Sequence, residues 1–289
     1  FSGLFKLLLG ALDLGKMLRF VSNSVIIGFL SAVGVTIVVG QIGNFFGIQL
    51  DRGVGIIPPL LSFFRNLSAI NWYAFAAGLI TLILIILGLK LFGNKIPVAL
   101  VAVIIGTVLV TILKWNERGV VLVRDVGIPA KVMLSFHVPQ VPIREYLNLI
   151  VPAAVIAFFG MVETVSIGKA MSQTTGHRVD ASKEMIGQGI GSILGGFFQA
   201  IPSSGSPSRT ATNVSSNART RFATVIAGFT VFLVLLFFSK LIVLIPMSVL
   251  AAVVIHSSVK LINLDVIRQT VKSRHVSAFV TIATFAATL

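Results

Sequence analysis

The sequence predicts an all-α polytopic membrane protein, and three observations predict it. Apolar residues make up 56% of the 289 and charged residues only 11%, where a soluble domain carries roughly 25% charged residues. The mean hydropathy is +1.00. Runs of about 20 apolar residues, the length that crosses a bilayer, recur along the whole chain. A soluble helical core of this size would need a polar coat that the composition does not supply.

Residues 1–12 read as the tail of a span, closed by a polar break at Asp13, Lys16 and Arg19. Full spans follow at 24–42, 72–92 and 97–113. Residues 114–146 mix polar and aliphatic positions with Pro129, Pro139 and Pro142, and are too interrupted to cross. Residues 147–171 form a span with a carboxylate inside it. Residues 184–200 are glycine-rich and apolar, and 201–215 are short and broken. Spans at 222–245, 246–262 and 276–289 complete the set.

The net charge of +14 would suggest nucleic acid if the basic residues formed one patch. They sit instead in short clusters between apolar runs, as orientation signals do in membrane proteins. Taking alternate loops together, one side holds thirteen basic and four acidic residues, and the other eight and four. The more basic side, with Lys16, Arg19, Lys95, Lys169, Arg178, Arg219, Arg268, Lys272 and Arg274 among its members, is expected to face the cytoplasm of a cell membrane. That count requires residues 201–215 to cross. The chain has no cysteine, so disulfide frames and thiolate metal sites are excluded. No nucleotide-loop, zinc-protease or serine-hydrolase motif occurs. Neither an enzyme nor a bound cofactor is expected. The chain opens at Phe1 and reads as a piece cut from a longer protein.

Residues 201–215 (IPSSGSPSRTATNVS) hold two prolines, a glycine, several hydroxyls and an arginine between apolar flanks. Irregular backbone at membrane depth survives only where protein or a water-filled cavity covers it. Ser206 before Pro207 reads as an N-cap followed by the first helical position, which puts Ser208 and Arg209 in the first turn. The free amides and positive dipole of such a helix end attract anions. An anion would also partner Arg209, whose insertion at mid-membrane costs about 2.5–3.5 kcal/mol when unpaired. The alternative is a surface loop with Arg209 reaching to lipid phosphates.

Glu163 is the acid placed well inside a span. Intramembrane acids mark proton relays, so it is a candidate coupling site; the alternative is a carboxylate tied to a structural partner. Gly187, Gly191 and Gly195 recur at four-residue spacing, which suits close helix packing in lipid. His256 falls inside a span and reads as a hydrogen-bonded structural histidine. His137, His177 and His275 lie in loops without metal-ligand spacing.

At these residues a family becomes recognisable. FVSNSVIIGF at 20–29 resembles the entry to the fifth span of the sulfate permease (SulP) anion transporters. VETVSIGK at 162–169, KEMIGQGIG at 183–191 and IPSSGSPSR at 201–209 resemble the signature of the eighth to tenth spans, and NARTR at 217–221 the turn that follows. The resemblance implies two inverted repeats of seven spans, forming a core and a gate domain with a discontinuous helix near Pro207. Residues 1–18 and 147–245 would then belong to the core, and 19–146 and 246–289 to the gate. On that map the chain runs from the fourth span into the thirteenth, without the facing half-helix of the third span or the cytoplasmic STAS domain. The anion would be held at Gly205, Ser206, Ser208 and Arg209, with Glu163 as the coupling acid. The implied function is elevator-type transport of an inorganic anion, sulfate first, driven by protons. The alternatives are bicarbonate or a dicarboxylate, coupling to sodium, or an anion channel on the same scaffold. The implied partners are the anion, the coupling ion, the bilayer and a second copy of the chain.

Overall fold

The structure, a computed structural model, describes residues 1–14, 22–51, 53, 55–93, 96–127, 136–140, 142–176, 179–216, 218, 220–260, 262 and 275–289. Phe20 and Val21 of the first motif, Asn217 and Arg219 of the last, His177, Pro129 and the loop cations Lys16, Arg19, Arg52, Lys95, Lys131, Arg178, Arg268, Lys272 and Arg274 lie outside the described residues. So do the side chains of Ser208 and Lys169.

Among the described residues eleven α-helices form and no strand. They are α1 (Ser2–Ala11), α2 (Asn23–Phe46), α3 (Ile57–Arg65), α4 (Trp72–Phe92), α5 (Val98–Ile112), α6 (Ile143–Thr175), α7 (Ala181–Phe197), α8 (Pro207–Ser215), α9 (Phe222–Ile242), α10 (Met247–Val259) and α11 (His275–Thr288). Four stretches are long and apolar enough to cross a membrane: Ile27–Phe46, Trp72–Phe92, Arg144–Gly168 and Phe222–Ile242. The apolar runs of the sequence thus become helices. The addition is α3, which begins with Pro58 and Pro59 in its first turn, where proline removes no helical hydrogen bond. It exposes Ile57, Leu61 and Phe64 and buries Ser62.

Contacts divide the chain into two compact units, residues 1–26 with 133–226, and residues 27–132 with 227–289. In the first, α1 lies along α7 at very short range. A Cβ on Gly3 would come within 2.7 Å of the Gly189 carbonyl oxygen, and one on Gly189 within 2.8 Å of the Leu7 amide nitrogen. The face of α1 that contacts the unit carries Gly3, Lys6 and Gly10, at the spacing of one helical stripe. Met161, Val162 and Val165 of α6 close on Met185 of α7, with Leu9 and Ala181 against them. The close contact runs through Gly189 rather than the stripe expected from spacing. A Cβ at Gly187 or Gly191 would meet nothing within 4 Å, and one at Gly195 would touch only Ala200. Gly189, two residues from both Gly187 and Gly191, lies on the other side of the helix.

In the second unit, α4, α5 and α10 pack together around Ala74, Ala77, Val110, Val120, Leu122 and Val249. Asn71 caps α4 by accepting from the amides of Tyr73 and Ala74, both at 3.0 Å. The chain before α10 is tied to the segment after α5: the Val123 amide donates to the Ile245 carbonyl at 3.0 Å and the Met247 amide to the Val121 carbonyl at 2.9 Å.

α9 differs from every packed helix. It has no buried residue, and it is apolar on all sides, as expected for a helix solvated by lipid.

Candidate functional site

The site is built on the break between α7 and α8. Helix α7 ends at Phe197, where the chain turns through Gln199, which has a φ of 58°. Residues 200–206 are not helical. Two contacts fix the start of this stretch: the His137 amide donates to the Phe197 carbonyl at 2.8 Å, and the Phe136 and Phe197 rings stack at 5.3 Å. Helix α8 then begins at Pro207. Ser206 is its N-cap, with extended backbone at φ −117° and ψ 117°, and its side chain accepts from the Arg209 amide at 3.4 Å. Proline has no N–H to lose at that position. The first-turn amides of Ser208 and Arg209 point out of the N-terminal end of the helix.

At nine residues, α8 is about 14 Å long, less than half of a roughly 30 Å hydrocarbon layer. Arg209 is exposed, and among the described residues no ion pair or side-chain hydrogen bond engages its guanidinium.

Glu163 reaches the same break from α6. The Ser204 hydroxyl donates to Glu163 Oε2, joining residues 41 apart in sequence. At the next residue, the Thr164 hydroxyl donates to the Gly160 carbonyl at 2.6 Å and accepts from Gln188 Nε2 at 2.9 Å. Gln188 Oε1 is buried without a hydrogen-bond partner among the described residues. Gly205 is confined between Ile167 and Gln188: a Cβ there would lie 3.1 Å from Ile167 Cδ1 and 3.8 Å from Gln188 Nε2. Helices α6 and α7 together therefore hold the non-helical stretch by its hydroxyls and by its lack of side-chain bulk.

A further cation, Lys6, meets this break. Lys6 is fully buried, and its ammonium donates to the Ser203 carbonyl. It also lies within the electrostatic reach of the Glu163 carboxylate. Gly160 makes the room, since a Cβ there would stand 3.1 Å from Lys6 Cε and 3.5 Å from Ser204 Cβ. Sequence reasoning passed over Lys6, although a lysine inside an apolar run is itself a signal that something charged or polar meets it. Of the residues singled out from the sequence, Gly205, Ser206 and Arg209 lie on one continuous stretch, and Glu163 is linked to it through Ser204. His256 belongs to the other unit, where its Nε2 is buried without a hydrogen-bond partner among the described residues; the structural hydrogen bond expected there is not seen at that nitrogen.

Charges kept among apolar helices destabilise a bundle unless they are paired, and they are retained where ions or protons are handled. The class these features define is a polytopic membrane transport domain. The sequence profile of the Sulfate permease family matches residues 1–284, and the chain belongs to that family. It is 28% identical over 289 residues to the putative sulfate transporter YvdB of Bacillus subtilis, covering 100% of this chain and 54% of that protein. It is 31% identical over 274 residues to the chloroplastic sulfate transporter 4.1 of Arabidopsis thaliana, covering 91% of this chain and 38% of that protein. Among solved structures, the transmembrane domain of a cyanobacterial bicarbonate transporter, BicA, superposes with a TM-score of 0.82 at 25% identity, over 99% of this chain and 71% of that one. The chain therefore spans about half or less of the length of these curated relatives.

Proposed function

We propose that the protein containing this chain carries an inorganic anion across the cell membrane, with sulfate as the first candidate and a proton as the coupling ion. The observation that carries this reading is the start of α8. A capped, proline-initiated helix end with an exposed arginine in its first turn lies next to a carboxylate held through Ser204. Helix dipoles place about half a positive charge at such an end, and discontinuous helices present that end to anionic substrates in secondary transporters. Gly205 and Ser206 shape the approach, the Ser208 amide donates, and the Arg209 guanidinium supplies the full charge.

Glu163 is the coupling group in this scheme. A proton on Glu163 leaves the positive field at α8 less opposed, so it favours the anion. An anion at α8 in turn favours the proton. Such coupling is reciprocal by thermodynamic necessity. Residues 1–18 and 147–245 would be the moving core and residues 19–146 and 246–289 the gate, in an elevator motion within a homodimer, with the Lys/Arg-rich loops on the cytoplasmic side. A bicarbonate cargo is the second reading, favoured by the superposition on BicA.

Uptake of labelled sulfate and labelled bicarbonate by the full-length protein in proteoliposomes, with imposed proton or sodium gradients, tests the scheme. Saturable sulfate uptake stimulated by inward acid supports it. Sodium-driven bicarbonate uptake with no sulfate uptake replaces the cargo and the coupling ion, and an ohmic, non-saturating current removes the carrier altogether. Glu163→Gln should keep sulfate uptake but flatten its pH dependence; acid stimulation undiminished in that variant would remove Glu163 from the coupling step.

A further inference from the structure

A lysine buried completely among apolar helices needs partners, and Lys6 of α1 finds them on the stretch that leads into α8. Its ammonium donates to the Ser203 carbonyl, three residues ahead of the Ser206 cap; the adjoining Ser204 donates its hydroxyl to Glu163, whose charge acts on Lys6. The charges around Lys6 can be followed element by element. From α6 comes Glu163. From α7, at the level where Leu7 meets Gly189, comes no titratable group; Lys183 and Glu184 lie toward the far end, where Gly10 meets Ser182 and the Ser182 hydroxyl contacts Asp13. Residues 198–206 contain no charged side chain. Arg209 follows in the first turn of α8.

We propose that Lys6 is a specificity-determining residue, a fixed cation that sets whether the anion site favours a singly or a doubly charged substrate. The inference rests on the start of α8 being that site. With Glu163 ionised, Lys6, Glu163 and Arg209 leave one positive charge in excess; with Glu163 protonated they leave two. A monoanion matches the first state and a dianion the second. Without the lysine the same two states leave no excess and one, and the dianion loses its match. Coulomb attraction scales with the product of the charges, so removing one nearby cation weakens a dianion about twice as much as a monoanion in free energy. Lys6 therefore acts on valence rather than on affinity in general.

The test uses full-length protein in proteoliposomes as wild type, Lys6→Arg, Lys6→Met and the double variant Lys6→Met with Glu163→Gln. Labelled sulfate and labelled bicarbonate are taken up at one fixed pH, and sulfate uptake is then followed across pH. Lys6→Arg should keep the wild-type ratio of sulfate to bicarbonate. Lys6→Met should lower that ratio about tenfold or more, as loss of one unit charge near the substrate requires. The double variant removes both buried charges together, so no unpaired carboxylate is left to unfold the protein. It should show the monoanion-favouring ratio with sulfate uptake insensitive to pH. A Lys6→Met variant that slows both anions equally, or neither, overturns the inference while leaving the anion site in place. Wild-type protein that takes up neither anion overturns the anion-carrier reading, and this inference with it.

Discussion

The two units obey the same packing rule and differ in what they leave inside. In the unit of residues 27–132 and 227–289, small residues let α4, α5 and α10 approach, and among the described residues the fully buried polar side chains are hydroxyls, with the buried Nε2 of His256 beside them. Ser31 and Ser248 have no partner among the described residues, whereas Thr81 donates to the Ala77 carbonyl one turn back at 2.8 Å and Thr281 to that of Ser277 at 2.9 Å. Such bonds satisfy the hydroxyl locally and ask nothing of a neighbouring helix. The other unit is drawn just as tightly together, by Gly3 and Gly189, yet it encloses an ammonium and a carboxylate that reach to a non-helical stretch, and a primary amide that links α7 to α6. Close packing here supports polar groups that would otherwise be costly to bury. Among the described residues, the charged side chains buried between helices and bonded to a non-helical stretch lie in the unit of residues 1–26 and 133–226.

The strongest way to break that comparison is to disturb the packing under the charges. Gly189→Ala sets a methyl 2.8 Å from the Leu7 amide nitrogen and 2.9 Å from the Gly3 carbonyl oxygen, which are backbone atoms. It should destabilise the full-length protein by about 2 kcal/mol or more, within the range for overpacked cores, read as a fall in thermal midpoint in detergent. The matching change in the other unit is Gly106→Ala, which meets the Thr81 hydroxyl at 2.7 Å and Val249 Cγ2 at 3.0 Å. Thr81 and Val249 are β-branched and fully buried, so they yield only in part, while alanine favours helix over glycine by about 1 kcal/mol. The midpoint should fall there too, but by less than for Gly189→Ala.

A smaller effect separates charge from packing. Arg209→Gln should raise the KM for sulfate by roughly tenfold to a hundredfold, the loss of a hydrogen bond to a charged group, and leave the thermal midpoint unchanged because the side chain is exposed. An unchanged KM would detach the arginine from the substrate. The smallest effect is at the cap. Ser206→Ala should cost about 1 kcal/mol of local helix stability, visible as faster amide exchange in the first turn of α8, and Ser206→Asn should restore most of it.

The parts of this arrangement that were legible in the sequence are the local ones. Apolar runs mark the spans because membrane helices satisfy their own backbone, and Ser206–Pro207 marks the start of α8 because cap and first turn are neighbours in the chain. Helix α3 is not among the expected spans: at nine residues it is far shorter than a run that crosses a bilayer. The Ser204–Glu163 and Lys6–Ser203 links span 41 and 197 residues, and no spacing rule reaches that far. The glycine stripe shows the same limit: four-residue spacing selects a face, but the partner helix decides which face is used, and α1 uses Gly189.

Helix α9 has a consequence for any reconstitution. Its 21 residues rise about 31 Å, close to a hydrocarbon layer of roughly 30 Å. Among the described residues none of its side chains is buried, which leaves its circumference open to lipid or to protein outside this chain. Where lipid covers it, shorter or longer tails are absorbed by inclination of the helix at a small energetic penalty per ångström of mismatch. Tail length is therefore a variable that a reconstitution can change without altering a single residue.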